Sequence, residues 1–467
     1  MTNTAVPTKT ETTALKQHQS NGCISAECTD KRLHAEIKTY TIFTERKVHN
    51  IQPNLNKTYL KATSAKGVYI YDENGKAYLD GSSGAVTCSL GHSHEKLLPF
   101  IKKQLDKLQF VYRSQFASEE AEQLATKLYE LSPDRSLSHS FFVNSGTEAI
   151  ETAMKIAIQY WQEKGKPEKT HFITRKKSYH GITMGALSLS GHVLRRQRFE
   201  GMLEKYPALS SDLENDALED QVAEFEKVID DIGASKIAAF VAEPMVGAAG
   251  TALAPVNEYY ACFKAVCDKN EILFIADEVM TGLGRTGTWF GMEHWGTQAD
   301  IVAIGKSLGA GYAPIAATLM TDKIFAPIKK GSGLIMSGHT YSGHPLSCAT
   351  ALKVLETVEE DYLLKNVDRQ GATIKSALYE LQKKYPVIQI VRGKGLMMGL
   401  ELDPTIKGIQ AKLVERCYQN GLLIYPSVGG KEGIDENGVL ISPPFIISKS
   451  EAEELLGKLE QSLKECS

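Results

Sequence analysis

The segment from residue 271 to residue 311 constrains the fold most strongly, because it contains two apolar runs that each lead to a charged residue. The run 272–276 continues directly into Asp277, and the run 301–304 is followed closely by Lys306. Continuous apolar runs of this length are typical of strands buried on both faces, as in a parallel sheet. Ligands bind at the carboxyl ends of such strands. We therefore expect Asp277 and Lys306 to face the same crevice.

Strand-like and helix-like segments alternate along the chain between residues 141 and 320. The predicted strands are 141–143, 171–175, 237–242, 272–276 and 301–304, and the predicted helices are 148–162 and 218–232. Such alternation is typical of parallel strands joined by crossover helices. The sequence therefore predicts an α/β fold with a mostly parallel central sheet.

The regions on either side of this sheet also predict regular structure. Residues 68–80 form a hairpin pattern around a turn at 72–75. After the central region, the pattern predicts strands at 388–391 and 396–402 and helices at 346–359, 406–420 and 451–465. Residues 1–35 are polar and rich in threonine, and we expect them to form a mobile extension.

Composition and charge exclude several classes of protein. Lysine and arginine number 53 against 56 acidic residues, so the sequence predicts neither a nucleic-acid surface nor an anionic-membrane surface. The 8 cysteines lack the paired spacing of a metal site, and we expect no metal and a reducing compartment. No apolar run approaches membrane-spanning length, and segment 1–22 lacks the apolar core of a signal peptide. We therefore expect a cytoplasmic protein without a membrane partner.

The segment 271–311 resembles the class III pyridoxal-phosphate (PLP) aminotransferases of fold type I. The resemblance rests on an apolar run before Asp-Glu-Val, a Gly-Arg turn and Gly-Lys-x-x-x-Ala-Gly, spread over about forty positions. It implies that Lys306 forms a Schiff base with the PLP aldehyde and that Asp277 keeps the pyridine nitrogen protonated. It also implies that Val279 lies against one face of the ring. A lone lysine and aspartate would more often be unrelated to a cofactor, but the full pattern disfavours that alternative.

A Ser-Gly-Thr turn joins the strand 141–143 to the helix that follows it. The start of a helix offers free backbone N–H groups, which suit a phosphate. The alternative is a simple N-cap without an anion. The resemblance assigns Ser145, Gly146 and Thr147 to the group of residues that binds the PLP phosphate.

Two further strand ends carry candidate site residues. The resemblance places Tyr179 against the second face of the PLP ring, with His180 beside it, because an aromatic ring can stack on a cofactor ring. It places Glu243 on the substrate side of the cofactor. The alternatives are a half-buried tyrosine that packs a loop and a solvated glutamate at the end of a strand.

The loop 337–345 is small, polar and rich in glycine. It resembles the family loop whose threonine reaches across a dimer interface to the cofactor phosphate of the partner subunit, and Thr340 is the matching position. This implies a homodimer with shared active sites, with a tetramer as a further assembly. The alternative is that Thr340 caps the next helix in its own chain.

The resemblance extends over residues 40–460 and also implies a division into domains. We expect a mobile extension at 1–35, the N-terminal part of a small α/β domain at 36–95, the large PLP-binding domain at 96–345 and the C-terminal part of the small domain at 346–467. In the family the small domain flanks the substrate entrance.

Two positions depart from the patterns with which some family members bind carboxylates. Some members that use 2-oxoglutarate carry an arginine directly after the aromatic-x-Gly motif, where this chain has Ile182. Others place a mobile arginine before a Pro-Pro pair near the C-terminus, where the run 423–438 offers Lys431 as its only cation. We therefore expect pyruvate to be used at least as well as 2-oxoglutarate, with Glu243 and Arg113 as candidate substrate-binding residues.

Three classes of function are compatible with these motifs. The first is an aminotransferase that moves a primary, preferably terminal, amine to a 2-oxo acid such as pyruvate or 2-oxoglutarate, with Lys306 as general base. The second is a PLP-dependent lyase or racemase on the same scaffold, because the orientation of the scissile bond decides the outcome. The third, a binding protein without catalysis, is disfavoured because it leaves Lys306 and Asp277 without a purpose. The sequence favours the aminotransferase.

Overall fold

The structure is a computed structural model that describes residues 49–210, 212–430 and 435–466. The mobile extension predicted at 1–35 lies outside the described residues. The chain divides into two compact units, Met1–Tyr59 and Leu60–Ser467, and the helices and strands given below all belong to the second unit.

The regular elements of the second unit, within the described residues, are as follows. The strands are β1 Ala62–Lys66, β2 Tyr69–Asp72, β3 Ala77–Asp80, β4 His139–Val143, β5 His171–Arg175, β6 Ala208–Leu209, β7 Ile237–Ala242, β8 Leu273–Asp277, β9 Ile301–Ile304, β10 Ala316–Met320, β11 Ile388–Lys394, β12 Met397–Leu402, β13 Leu422–Leu423, β14 Tyr425–Gly429 and β15 Asp435–Ile441. The helices are α1 Ser83–Val86, α2 Leu97–Lys107, α3 Glu119–Leu131, α4 Gly146–Glu163, α5 Met184–Leu189, α6 Val193–Arg196, α7 Leu218–Ile232, α8 Tyr259–Lys269, α9 Asp322–Lys330, α10 Pro345–Glu360, α11 Leu363–Lys384, α12 Ile409–Gln419 and α13 Lys449–Lys464.

The central sheet has seven described strands in the order β4-β10-β9-β8-β7-β5-β6. β8 pairs in parallel with β7 on one side and with β9 on the other. Every residue of these three strands is buried, which explains why their sequences are continuous apolar runs. β10 runs antiparallel to both β4 and β9. The predicted α/β fold with a mostly parallel central sheet is therefore confirmed.

Helix α4 shows how the helices cover this sheet. Its buried side chains recur at helical spacing and form one apolar face: Ala149, Ile150, Ala153, Ile156, Ala157 and Tyr160. Near its end, the indole N–H of Trp161 donates to the carbonyl of Ala238 in β7 at 2.9 Å. The helix starts three residues after β4 ends, so its N-terminus lies at the carboxyl end of that strand.

Two smaller sheets flank the central one in sequence. The predicted hairpin is present, with β2 antiparallel to β3. The short strand β13 pairs in parallel with β3, so a C-terminal segment and the N-terminal hairpin share one sheet. The other sheet has the order β11-β12-β15-β14. The precise domain boundaries given above stay a prediction.

Membrane-spanning and metal-binding features were searched among the described residues. None of the described helices combines the length and the apolar character that crossing a membrane requires. In the same part of the chain, no cluster of three or more histidine, cysteine, aspartate or glutamate side chains is arranged to hold a metal ion.

Candidate active site

Three adjacent parallel strands deliver three chemically active side chains to one edge of the sheet. Glu243 follows β7, Asp277 ends β8, and Lys306 comes two residues after β9. In the ladder between β8 and β9, Asp277 lies opposite Ala303. The three side chains therefore share one edge of the sheet, and the charges of Asp277 and Glu243 act on the Lys306 amine.

The Asp277 carboxylate is buried and held on both oxygens. Its Oδ2 lies 2.8 Å from Nδ1 of the buried His180, and its Oδ1 accepts from the backbone N–H of Val279 at 3.1 Å. His180 is anchored in turn, because its own N–H donates to Ser190 Oγ at 2.8 Å. The sequence predicted His180 beside Tyr179, and the structure also gives it direct contact with Asp277.

Lys306 combines an unusual backbone with an available amine. Its φ of 42° lies in the left-handed region, which costs a non-glycine residue energy and often marks a functional site. Within the described ranges its Nζ has no hydrogen bond or ion pair. Burial lowers the pKa of Lys306, while the charges of Asp277 and Glu243 act in the opposite direction. A lowered pKa increases the neutral, nucleophilic fraction of the amine.

The start of α4 supplies an anion-binding arrangement. Ser145 is the N-cap residue, and its hydroxyl accepts from the N–H of Glu148 at 3.3 Å. The N–H groups of Gly146 and Thr147 then have no acceptor within the helix. The Thr147 hydroxyl accepts from the N–H of Ile182 at 3.0 Å, which ties the helix start to the loop after Tyr179.

Val279 closes one side of the crevice. A Cβ placed on Gly146 would lie 2.6 Å from Val279 Cγ1, and one on Gly305 would lie 3.4 Å from the same atom. The valine therefore packs between the start of α4 and the residue before Lys306. This close packing requires glycine at position 146.

Tyr179 and Glu243 are joined by a hydrogen bond. The N–H of Tyr179 donates to Glu243 Oε1 at 2.9 Å, and the N–H of Gly247 donates to Oε2 at 3.0 Å. Burial raises the pKa of Glu243, and the charge of Asp277 adds to this effect. Both oxygens of Glu243 are therefore held by backbone N–H groups, and among the described residues Glu243 has no ion pair.

Two of the predicted residues, Arg113 and Thr340, make no hydrogen bond or ion pair with Glu243, Asp277 or Lys306 among the described residues. Arg113 donates to the carbonyl of Ser337 at 2.9 Å and lies 4.5 Å from the ring centroid of Phe141. Thr340 is exposed, and His344, not Thr340, caps helix α10 by accepting from the N–H of Ser347. The alternative in which Thr340 caps that helix is therefore wrong. The third candidate cation, at position 431, lies outside the described residues.

Two residues to which the sequence motifs assign no role lie beside Tyr179. The guanidinium of Arg195 is 4.8 Å from the ring centroid of Tyr179, and the His192 ring is 6.1 Å from it. Both belong to the segment that follows the Tyr179 motif. The adjacent pair Arg195 and Arg196 in that segment was the available signal, since arginine is the side chain that binds carboxylates with paired hydrogen bonds.

The chemistry of these residues fits PLP, which carries an aldehyde, a pyridine nitrogen and a phosphate. Lys306 offers an amine whose pKa is lowered by burial, Asp277 offers a fixed carboxylate, and the start of α4 offers backbone donors. Tyr179 and Val279 offer flat and branched surfaces.

Comparisons with known proteins agree with this fit. A family model for class III aminotransferases matches residues 51–463. An uncharacterized aminotransferase of Bacillus subtilis is 48% identical over 430 residues, which cover 88% of this chain and 97% of that protein. A putrescine–pyruvate aminotransferase of Pseudomonas aeruginosa is 32% identical over 412 residues, which cover 84% of this chain and 88% of that protein.

A solved structure extends the similarity to three dimensions. An amine transaminase from an uncultivated Pseudomonas species, crystallised in its PLP-bound form, superposes with a TM-score of 0.82 at 32% identity. The match covers 91% of this chain and 99% of that one. The chain therefore belongs to the class III aminotransferases, and it is a PLP-dependent enzyme that transfers an amine to a 2-oxo acid.

Proposed function

We propose that the enzyme takes a primary, terminal amine as donor and uses a monocarboxylate such as pyruvate at least as well as 2-oxoglutarate. The observation that carries this proposal is the environment of Glu243. Its two oxygens accept from the backbone N–H groups of Tyr179 and Gly247. Ile182, 53% exposed, stands where some related enzymes that use 2-oxoglutarate carry an arginine. A second substrate carboxylate would meet a buried carboxylate there and no cation at position 182.

The similarity to a putrescine–pyruvate aminotransferase supports both halves of this proposal. Putrescine is a diamine whose amino groups are terminal, and pyruvate has a single carboxylate. The identity of 32% over 84% of this chain does not carry the substrate across by itself. It does make a terminal amine and pyruvate the first pair to assay.

Each site residue has a proposed task toward the cofactor. Bound PLP supplies an aldehyde that condenses with amines and a ring that withdraws electrons from the bond being broken. We assign Lys306 Nζ to attach the cofactor and then to move the proton of the substrate, which its lowered pKa favours. Asp277, held by His180 and the N–H of Val279, faces the pyridine nitrogen and stabilises its positive charge.

The remaining residues position the cofactor. The backbone donors of Gly146 and Thr147, with the hydroxyl-bearing Ser145 beside them, bind the phosphate. Tyr179 and Val279 enclose the ring and keep it between them. Because Lys306 and Asp277 are buried, water screens the interaction between their charges only weakly.

The experiment that tests the substrate proposal is a paired assay. The purified enzyme is incubated with PLP and a terminal diamine, and the initial rate is measured with equal concentrations of pyruvate or 2-oxoglutarate. We expect kcat/KM for pyruvate to equal or exceed that for 2-oxoglutarate. A strong preference for 2-oxoglutarate would refute the proposal. Omitting the oxo acid distinguishes a lyase, which keeps turning over, from an aminotransferase, which stops after one turnover per site.

We also propose a homodimer in which Thr340 serves the partner subunit. Thr340 is exposed, and its hydroxyl has no hydrogen bond within the described residues. The surrounding surface is apolar for an exposed region and comprises Phe110, Tyr112, Phe116, Leu334, Met336 and Tyr341, whose exposed fractions run from 36% to 65%. Phe110 and Tyr341 are in contact, with ring centroids 5.7 Å apart, so this surface continues to the Thr340 loop. A second copy of the chain would cover it. The tetramer and the cytoplasmic location stay predictions.

A further inference from the structure

We infer that Arg195 binds the carboxylate of the 2-oxo acid acceptor at the mouth of the crevice, against the ring of Tyr179. This inference rests on the proposed function, because it names the group that recognises the acceptor in the same site. It concerns a residue to which the sequence motifs assign no role.

Three observations locate Arg195 relative to the site. Its guanidinium carbon lies 4.8 Å from the ring centroid of Tyr179, within the range of a cation–π contact. The N–H of Tyr179 is bound to Glu243, one of the three strand-end residues of the crevice. Besides burial, the charge of Arg195 also lowers the pKa of Lys306, so the two cations are within electrostatic reach of each other. Arg195 therefore lies near the amine that carries the reaction.

The hydrogen-bonding capacity of Arg195 is unused. The side chain is exposed, and in the described part of the chain its guanidinium makes no hydrogen bond and no ion pair. Its neighbour Arg196 is different, since it donates to the carbonyls of Leu187, Ser188 and Ser190 and pairs with Glu200. Arg196 thus ties α6 to the end of α5, whereas Arg195 keeps five N–H donors for a ligand.

A second unpaired group lies beside the same ring. His192 is 6% exposed, and its Nδ1 has no hydrogen-bond partner among the described residues. Burial lowers the pKa of His192 to about 4, and the charge of Arg195 adds to this effect, so the ring is neutral at neutral pH. A buried polar atom without a partner in a native protein calls for a ligand or water. Its position next to Tyr179 and Arg195 supports a polar ligand there.

The chemistry of the acceptor matches a single cation. Every 2-oxo acid carries a carboxylate next to its oxo group, and a planar guanidinium binds a carboxylate with two parallel hydrogen bonds. Arg195 satisfies that one carboxylate, which both pyruvate and 2-oxoglutarate possess. A terminal amine donor without a carboxylate has no group that Arg195 would bind. The residue is therefore expected to act on the acceptor half of the reaction and not on the donor half.

The test compares three variants of the full-length, PLP-loaded enzyme. Arg195→Gln removes the cation, Arg195→Lys keeps the charge without the planar fork, and Arg198→Gln removes another exposed cation three residues further along the same segment. For Arg195→Gln we expect a 10- to 100-fold higher KM for pyruvate, on the order of one charge-assisted hydrogen bond. We expect an intermediate value for Arg195→Lys and the wild-type value for Arg198→Gln.

Two readouts separate carboxylate binding from a general defect. The rate at which a terminal diamine converts the cofactor in a single turnover should be the same in Arg195→Gln as in the wild type. Calorimetric titration with propanoate, an unreactive monocarboxylate, should show a Kd raised by the same factor as the KM for pyruvate. The Kd for PLP should not change.

Several results would overturn the inference. An unchanged Kd for propanoate and an unchanged KM for pyruvate in Arg195→Gln would show that the carboxylate binds elsewhere. An equal loss in both half-reactions, or weaker PLP binding, would show that Arg195 positions Tyr179 or the cofactor instead. In either case the proposed function stands as long as the wild-type enzyme uses pyruvate. If the wild type transfers no amine from a terminal diamine to pyruvate, the proposed function itself fails.

Discussion

At the scale of single residues, the reaction depends on an amine and a carboxylate held by different means. Lys306 is kept by its strand end and a strained backbone, and Asp277 by His180 and Val279. We expect Lys306→Ala to abolish both turnover and the absorbance of covalently bound PLP. Asp277→Asn should keep some cofactor but lose several kcal/mol of transition-state stabilisation, roughly a thousandfold in rate. Near-normal activity in either variant would contradict the assignment.

His192 makes stability depend on pH at the same scale. Burial lowers its pKa from 6.5 to about 4, so the folded protein binds this proton less readily than the unfolded chain does. Above pH 6.5 the titration of His192 does not change the free energy of unfolding. As the pH falls from 6.5 through 4, the free energy of unfolding decreases. The loss is up to about 3 kcal/mol.

We expect His192→Gln to reduce the dependence of the free energy of unfolding on pH in this range. The measurement is chemical denaturation between about pH 4.5 and about pH 7.5, which covers most of the titration of the histidine. His171→Gln, which changes an exposed histidine, is the matched control. If the variant and the wild type lose stability in parallel over this range, the histidine is not the source of the effect.

At the scale of secondary structure, the start of α4 couples the phosphate region to Val279. Alanine at position 146 would place its Cβ 2.6 Å from Val279 Cγ1, so either the valine or the helix start must move. We expect Gly146→Ala to weaken PLP binding roughly tenfold, as measured by fluorescence titration of the apoenzyme, because the backbone donors shift.

Gly457 offers a matched control for this prediction. It lies inside helix α13, and a Cβ there would meet no atom within 4 Å. Gly457→Ala should leave the Kd for PLP unchanged and stabilise the protein by up to about 1 kcal/mol, since alanine favours helix. Unchanged PLP affinity in Gly146→Ala would show that the start of α4 does not contact the phosphate.

At the scale of the whole molecule, the Thr340 proposal predicts that complete sites need two chains. Lys306→Ala and Thr340→Ala chains are mixed, and the heterodimer is isolated by two different affinity tags. Its Lys306-bearing site belongs to the Thr340→Ala chain and receives the intact threonine of its partner. We expect that site to bind PLP more tightly than the Thr340→Ala homodimer does, by about 10- to 100-fold for one charge-assisted hydrogen bond. If the partner makes no difference to PLP affinity, the loop acts within its own chain.

The sequence by itself determined the central strands and the two residues at their ends. The predicted strands 171–175, 237–242 and 301–304 agree with β5, β7 and β9 in full, and the strand before Asp277 is displaced by one residue. These predictions succeed because a fully buried parallel strand needs an uninterrupted apolar run, which is a local property of the chain. The positions of Asp277 and Lys306 follow from the same runs, and the resemblance to a family supplied their chemistry.

The tertiary structure alone decided which polar groups meet. His180 and Asp277 are 97 residues apart in sequence, and no local pattern pairs them. The antiparallel insertion of β10 between β4 and β9 likewise depends on sheet assembly. No local sequence pattern distinguishes Arg113 from Arg195. In the structure Arg113 lies against Phe141, and Arg195 lies against Tyr179. The local pattern of apolar residues predicts burial and strand type. The partners of a charged side chain depend instead on how segments distant in sequence pack together.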